Sequence, residues 1–159
     1  MAKKKEQISI ALIEIFDREV FVKEPNEKFK KNFKKDSLQL GININFSQSE
    51  TVNNLLLNIS IKYEYPHDDE KIELLRSAFS FQFEISNMDK IITFEGDKID
   101  IPDGLAINLV SISLSTIRGL IAAKTRGYFI NKYYFPIINP KELTGLFTTK
   151  NSKTNKKET

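Results

Sequence analysis

The stretch LLLNISIKYEY, residues 55–65, decides the fold, because an apolar side chain recurs in it at every second position. A period of two places these side chains on one face of a β-strand. The apolar face carries Leu55, Leu57, Ile59, Ile61, Tyr63 and Tyr65. We therefore expect one side of this strand to be covered and the other side to face water.

Three more stretches alternate in the same way and predict further strands. They are ISIALIEIFDREVFV (8–22), LQLGININF (38–46) and AFSFQFEIS (78–86). The first is irregular around Leu12–Ile13, where we expect a β-bulge. The connections SQSETVNN and PHDDE are short, which favours antiparallel neighbours over parallel crossovers. The pattern predicts a four-stranded antiparallel sheet.

Residues 101–127, IPDGLAINLVSISLSTIRGLIAAKTRG, change to a period of 3.6 and predict one long helix. Asp103 is expected as its N-cap and Gly127 at the C′ position. Two apolar stripes run along the helix, and no charged residue lies between its start and Arg118. One stripe can pack on the sheet, so the other must meet something else.

Small side chains form a further stripe on the predicted helix. Its members are Ser111, Ser115, Gly119 and Ala122. Such a stripe lets two backbones approach closely, and two interpretations remain open. The helix lies tightly on its own sheet, or it contacts the helix of another subunit.

The segment NKYYFPIINPKEL, residues 131–143, follows the helix and fits neither a helix nor a strand. Aromatic residues and isoleucines surround Pro136 and Pro140. The following stretch PKELTGLF (140–147) predicts a short helix with Pro140 near its first position. The fold class expected is α+β, a four-stranded antiparallel sheet followed by one long and one short helix.

The composition is that of a single domain of 159 residues, with 40% hydrophobic and 28% charged residues. The absence of cysteine excludes disulfides and thiolate chemistry. The net charge of +3 comes from the ends, because residues 8–149 hold 17 basic and 19 acidic groups. We expect a flexible basic N-terminus (1–7), a domain (8–147) and a disordered basic tail (148–159). No signal peptide or membrane span is recognised, so the cytoplasm is the expected location.

A lysine cluster, EKFKKNFKKD at 27–36, interleaves two phenylalanines with five lysines. It can be interpreted as a patch for nucleic acid or anionic lipid. The favoured interpretation is a solvated loop in which Phe29 and Phe33 pack against the sheet while the lysines stay in water.

Motifs of catalysis and cofactor binding are missing from the sequence. His67 is the only histidine, and its acidic neighbours Asp68 and Asp69 are typical of a hairpin turn rather than a metal site. There is no phosphate-binding glycine motif, and no serine has a His–Asp partner in view. We expect a protein that is not an enzyme and that needs no metal or other cofactor.

Four stretches together resemble the SecB family of molecular chaperones. They are EVFVKEPN (19–26), FQFEI (81–85), TRGYF (125–129) and PIINPKELTGLF (136–147). Their order and spacing cover residues 8–147, nearly the whole predicted domain. No single one of these motifs is very specific.

The resemblance implies a homotetramer, a dimer of dimers with the long helices sandwiched between sheets. It implies an ATP-independent holdase that keeps unfolded or precursor polypeptides in apolar grooves during protein export. The small-residue stripe would then be a subunit interface. The client-binding residues expected are Tyr133, Tyr134, Phe135, Ile137, Ile138, Leu143, Leu146 and Phe147.

In the export members of the family, acidic groups dock the ATPase SecA. Glu84 matches one such position and Glu19 resembles another. Lys23 stands where the family often has Glu, and this charge reversal is expected to weaken docking of a basic partner. A dedicated chaperone of one partner, such as the antitoxin of a toxin–antitoxin pair, therefore stays open. So do a small nucleic-acid-binding protein and a carrier of lipid or another apolar ligand.

Overall fold

The computed structural model describes residues 7–133 and 135–143. Four long strands form one antiparallel sheet in the order β1-β4-β3-β2. They are β1 (Ile10–Val22), β2 (Gln39–Gln48), β3 (Asn54–His67) and β4 (Glu70–Ile85). The main helix spans Asp103–Lys124. The predicted α+β class with its four-stranded antiparallel sheet and long helix is thus confirmed.

The register of the strands follows from tight turns and bulges. Only Asp68 and Asp69 separate β3 from β4, and Asp68 has a φ of 53°, a left-handed conformation that Asp tolerates. β1 pairs with β4 and shifts register between Leu12 and Glu14, where the bulge is expected. A second shift between Asp17 and Glu19 is not predicted by the sequence pattern.

The core lies between one face of the sheet and the main helix. Alternate residues of β3 and β4 are almost completely buried, among them Ile59, Phe81 and Phe83. The helix contributes Leu105, Leu109, Val110, Leu114, Ile117 and Ile121 to the same core. The opposite face of the sheet, called the open face below, carries polar and charged side chains, as expected for a sheet covered on one side.

The main helix begins at Asp103, with Pro102 as the N-cap and no side-chain capping bond. The expectation that Asp103 is the N-cap is therefore wrong by one residue. Asp103 lies in the first turn, where its carboxylate complements the helix dipole. The C-cap is Thr125, and Gly127 follows two residues later with a φ of 87°, a value that favours glycine.

Several short elements were not predicted. A helix α1 (Glu27–Asn32) replaces the expected loop, because the Asn26 side chain accepts a hydrogen bond from the Phe29 N–H at 2.9 Å. Helix α2 (Met88–Ile91) and the hairpin of β5 (Thr93–Glu95) with β6 (Lys98–Asp100) precede the main helix, called α3 hereafter. Such short elements carry too few residues to show a period.

The described part of the region after α3 contains two short 3-10 turns, Phe129–Lys132 and Pro140–Leu143. The second begins at Pro140, as expected, and covers the described part of the predicted short helix. Residues 144–147 of the predicted short helix, and both basic ends, lie outside the described part of the chain.

Candidate functional site

An aromatic cluster joins α1, β3 and the segment that follows α3. Phe33 lies at its centre, with ring centroids 4.8 Å from Tyr65, 5.1 Å from Phe129 and 4.7 Å from Tyr133. Phe29 lies edge-on to Tyr65 at 5.1 Å. These five rings are called the aromatic cluster below. Aromatic pairs at such distances attract each other in addition to the free energy gained by burying the rings. The cluster therefore fixes the start of the segment that follows α3.

The favoured interpretation of the 27–36 stretch is consistent with this cluster. Phe29 is buried and Phe33 packs against the core, while Lys28, Lys31 and Lys34 are exposed. The structure adds that the two phenylalanines come from a helix and its C-cap rather than from a loop.

Glu24 connects the end of β1 to the segment after α3. Its Oε2 accepts a hydrogen bond from the Phe129 N–H at 2.8 Å, and its Oε1 lies 2.6 Å from the Lys30 Nζ. The hydrogen bond from Lys30, and next the one from the Phe129 N–H, hold the pKa of Glu24 below its usual value. Glu24 therefore remains a charged acceptor at neutral pH.

Two more polar side chains hold the segment after α3, residues 128–143, called the crossover below. The Asn131 side-chain amide donates to the Ala122 carbonyl and to the Thr125 Oγ1, both at 2.9 Å. Arg118 donates to the carbonyl oxygens of Phe135 at 3.3 Å and of Pro136 at 3.5 Å. The described part of the crossover is therefore held by side-chain hydrogen bonds and by buried residues such as Phe135, with only short 3-10 turns as regular structure.

The predicted client-binding residues occupy different environments. Phe135 is 3% exposed and belongs to the core, whereas Ile137 is 86% exposed. Tyr133, Ile138 and Leu143 are half-buried and pack against the edge of the core. Tyr134, Leu146 and Phe147 lie outside the described residues. The described part of the crossover therefore offers apolar surface mainly at Ile137, next to the half-buried rim.

The small-residue stripe lies on the outer face of α3. Ser115 and Gly119 are exposed and Ser111 and Ala122 are half-buried. A Cβ added at Gly119 would meet no atom within 4 Å. The interpretation that this stripe packs tightly on the chain's own sheet is therefore wrong. Its assignment to a subunit interface stays a prediction.

By length and composition α3 could also cross a membrane, but its inner face packs on the sheet. A core helix of a water-soluble protein satisfies the same two criteria. This feature is therefore weak evidence for a membrane span.

The edge strand β1 exposes more apolar surface than the sequence pattern suggested. Leu12, Ile13 and Val20 are 38%, 50% and 40% exposed. Within the described residues β1 pairs with β4 on one side only, so no described strand pairs with the backbone groups of its other side. The signal in the sequence was the run of apolar residues without strict alternation.

Glu19 and Glu84, the two residues expected to dock SecA, both lie on the open face but not together. The residue opposite Glu19 on β4 is Ala78, and Glu84 follows it by six positions, roughly 20 Å along the strand. Glu19 is paired with the Arg76 Nε at 2.7 Å, while Glu84 is exposed. The structure thus forms no single acidic patch from them.

His67 lies at the β3–β4 turn, exposed, with its Nε2 3.7 Å from the Asp68 carboxylate. Among the described residues no three His, Asp or Glu side chains come together as a metal site. The geometry around His67 thus adds nothing to the sequence pattern in favour of a metal.

Comparisons with known proteins give no family. No protein-family model and no curated protein matches the chain. One solved structure that resembles it is a protein of unknown function from Streptococcus agalactiae, with a TM-score of 0.37 and 12% sequence identity. The likeness covers 75% of this chain and 89% of that one. A similarity of this size identifies neither a shared fold nor a shared activity.

Proposed function

We propose that this protein is a cytoplasmic, ATP-independent holdase that binds unfolded polypeptides along the crossover, as members of the SecB family do. The observation that carries the proposal is the state of Ile137, a large apolar side chain that is 86% exposed. It lies in a segment that Arg118 and Asn131 attach to α3, with the half-buried Ile138 and Tyr133 on either side.

A contiguous exposed apolar patch marks an interaction site, and Ile137 is the exposed part of a stretch that continues into the half-buried Ile138. Unfolded chains expose apolar and aromatic side chains without a common sequence, and such contacts require no single partner sequence. The proline residues limit how far the crossover backbone can fold back on itself. The segment therefore presents Ile137, next to the half-buried Ile138, on a backbone that is anchored to the aromatic cluster through Tyr133.

The experiment compares Ile137→Asp with the wild-type protein in suppressing aggregation of a reduced, unfolded test protein. Because Ile137 projects into solvent, its replacement leaves the core intact, and we expect a loss of protection of about tenfold in the amount of chaperone required. Adding Ile138→Asp should deepen the loss.

Val52→Asp is the matched control, since Val52 is 82% exposed and lies in the turn between β2 and β3. It removes a similar apolar area elsewhere and should protect as the wild type does. If Ile137→Asp protects as well as Val52→Asp, the crossover is not the client site.

A narrower candidate is a chaperone dedicated to one partner, such as an antitoxin. Two observations favour it over an export role. Glu19 is already paired with Arg76, whose guanidinium also lies over the Phe21 ring at 5.3 Å. Lys23 reverses the charge that a basic partner would meet. Co-purification from the native cell separates the two: many precursor proteins with SecA indicate export, and one small neighbour indicates a dedicated role.

A further inference from the structure

A chain of hydrogen-bonded side chains crosses the open face of the sheet, with one member from each strand. The Arg18 Nε donates to the Ser80 Oγ at 3.1 Å, and Ser80 donates to the Asn58 Oδ1 at 2.6 Å. The Asn58 amide then donates to the Ser47 Oγ at 3.0 Å. All three bonds run in the same direction, so they polarise one another and hold Arg18 in one orientation.

The same side chains border a hollow of about 400 Å³ in the open face. Such a volume is within the range of sites that bind small groups or short segments. The lining consists of Arg18, Asn43, Asn45, Asn58, Ile59, Ser60, Ala78, Phe79 and Ser80. The lining is thus rich in amides and hydroxyls, it contains one cation, and it contains no carboxylate.

Arg18 is the extra residue of the second β1 bulge, between Asp17 and Glu19. A bulge re-aims the side chain of the inserted residue, and here it directs the guanidinium over the sheet. The Phe16 ring lies beneath it, 4.8 Å from the guanidinium carbon. Within the described residues no carboxylate pairs with Arg18, unlike Arg76 on the same face. Its terminal nitrogens are therefore available to an anion.

We propose that this hollow binds a carboxylate group carried by an extended peptide of a partner protein. The guanidinium, fixed through its Nε, presents donors that match the two oxygens of a carboxylate. The Asn45 side-chain amide offers a donor and an acceptor, the complement of a peptide group, whereas the Asn58 amide already bonds to Ser80 and Ser47. A phosphate would use the guanidinium but would leave the Asn45 amide oxygen unmatched.

The charged side chains around the hollow limit how many negative charges a ligand can carry. Towards the β3–β4 turn, Lys62 lies 2.7 Å from Glu64 and 3.4 Å from Glu73, and Glu73 also pairs with Arg76. These charges compensate one another. Towards the other end of β4, Glu14 and Glu84 would repel a strongly acidic ligand. A peptide with a single carboxylate therefore fits best.

The hollow lies on the face of the sheet opposite to α3, so this site does not depend on the holdase proposal. Binding can fail here while the crossover still protects clients, and the reverse is also possible.

The test titrates isotope-labelled full-length protein with the blocked peptide acetyl-Gly-Ser-Glu-Ser-Gly-amide and with its Gln counterpart, at low salt. The side-chain amide signals of Asn45 and Asn58 and the Arg18 Nε–H signal report occupancy of the hollow. We expect a saturable shift with the Glu peptide. The Gln peptide should bind at least about tenfold more weakly, or not at all. Acetate alone and inorganic phosphate serve as the other probes.

Arg18→Gln should abolish the shift of the asparagine signals, and the unchanged remainder of the spectrum shows that the variant is folded. Arg126→Gln is the charge-matched control, since Arg126 is exposed beyond the end of α3. It should bind as the wild type does. Asn45→Ala keeps the charge of the hollow. It should weaken binding of the Glu peptide more than binding of acetate.

Five results would overturn the proposal. Three concern the ligand: the Glu and Gln peptides bind equally, phosphate binds more tightly than the Glu peptide, or acetate binds and the peptide does not. The other two are an equal loss of binding in Arg18→Gln and Arg126→Gln, and the absence of a shift with any probe.

Discussion

Tyr63 carries its phenol into the core between the sheet and α3. The side chain is 2% exposed, and its hydroxyl has no hydrogen-bond partner among the described residues. Burial raises the pKa of Tyr63 to about 12, because the charged phenolate would lose its hydration. The ring contributes to packing while the hydroxyl carries a desolvation cost.

Tyr63→Phe should leave the free energy of unfolding at neutral pH unchanged or raise it by up to about 1 kcal/mol, because it removes an unpaired polar group. In the wild type the unfolded phenol ionises near pH 10.0 and the folded phenol does so only near pH 12. The unfolded state therefore releases its proton first, and wild-type stability falls as the pH rises through this window.

Urea unfolding of both proteins at neutral pH and near pH 11 measures this difference. The variant should lose less stability between the two conditions than the wild type. A variant clearly less stable at neutral pH would show instead that the hydroxyl has a partner in solution. Tyr65→Phe is a suitable control, since its hydroxyl accepts from the Lys34 N–H at 3.1 Å.

At the scale of the element, α3 has two faces in different environments. Its inner face holds Leu109, which is 0% exposed, and Lys124 at its C-terminal end pairs with Asp17 of β1. Its outer face is formed by small and polar residues such as Ser115. The helix is therefore held on the sheet by apolar burial, while the described residues leave its outer surface exposed at Ser115.

Leu109→Ala should lower the free energy of unfolding by about 2–5 kcal/mol, because it leaves a cavity where the helix meets the sheet. Ser115→Ala, one turn and a half away on the other face, should change it by less than about 0.5 kcal/mol. Chemical denaturation of the two variants measures the contrast. Similar losses in both would mean that the outer face is also packed.

The strands and the long helix were predictable from the sequence because their periods are local. The bulge at Leu12 and the turn at Asp68 also followed from local patterns. Helix α1 was not predicted, since its six residues depend on the Asn26 cap and on Phe29 reaching the aromatic cluster. Of the expected client-binding residues, pattern alone could not separate the buried Phe135 from the exposed Ile137.

At the scale of the whole molecule, the described residues leave apolar side chains uncovered on two surfaces. One is the outer face of α3, where Ile112 is 42% exposed, and the other is the edge strand β1. Apolar surfaces of this kind are usually covered by a partner in an oligomer. The dimer of dimers that the resemblance to the SecB family implies would cover the α3 face with a second copy of the same helix.

We expect light scattering to give a molar mass near four chains of 18.3 kDa each. Gly119→Glu should reduce this mass, because it places a charge on the outer face of α3. An added Cβ at this position meets no described atom within 4 Å, so the Glu side chain extends from open space. Val52→Glu is the control for added charge. A monomeric wild type, or an unchanged mass in Gly119→Glu, would contradict the assembly.

The sequence by itself determined the strands, the long helix and the polarity of each sheet face, since side-chain periodicity is a property of neighbouring residues. Only the tertiary structure decided which side chains and carbonyl groups contact each other across the strands and along α3. Arg18 reaches Ser80 over 62 positions, and Arg118 reaches the Phe135 carbonyl after the chain has turned back along α3. These contacts depend on strand order, on a bulge and on the path of the crossover, none of which leaves a local period in the chain.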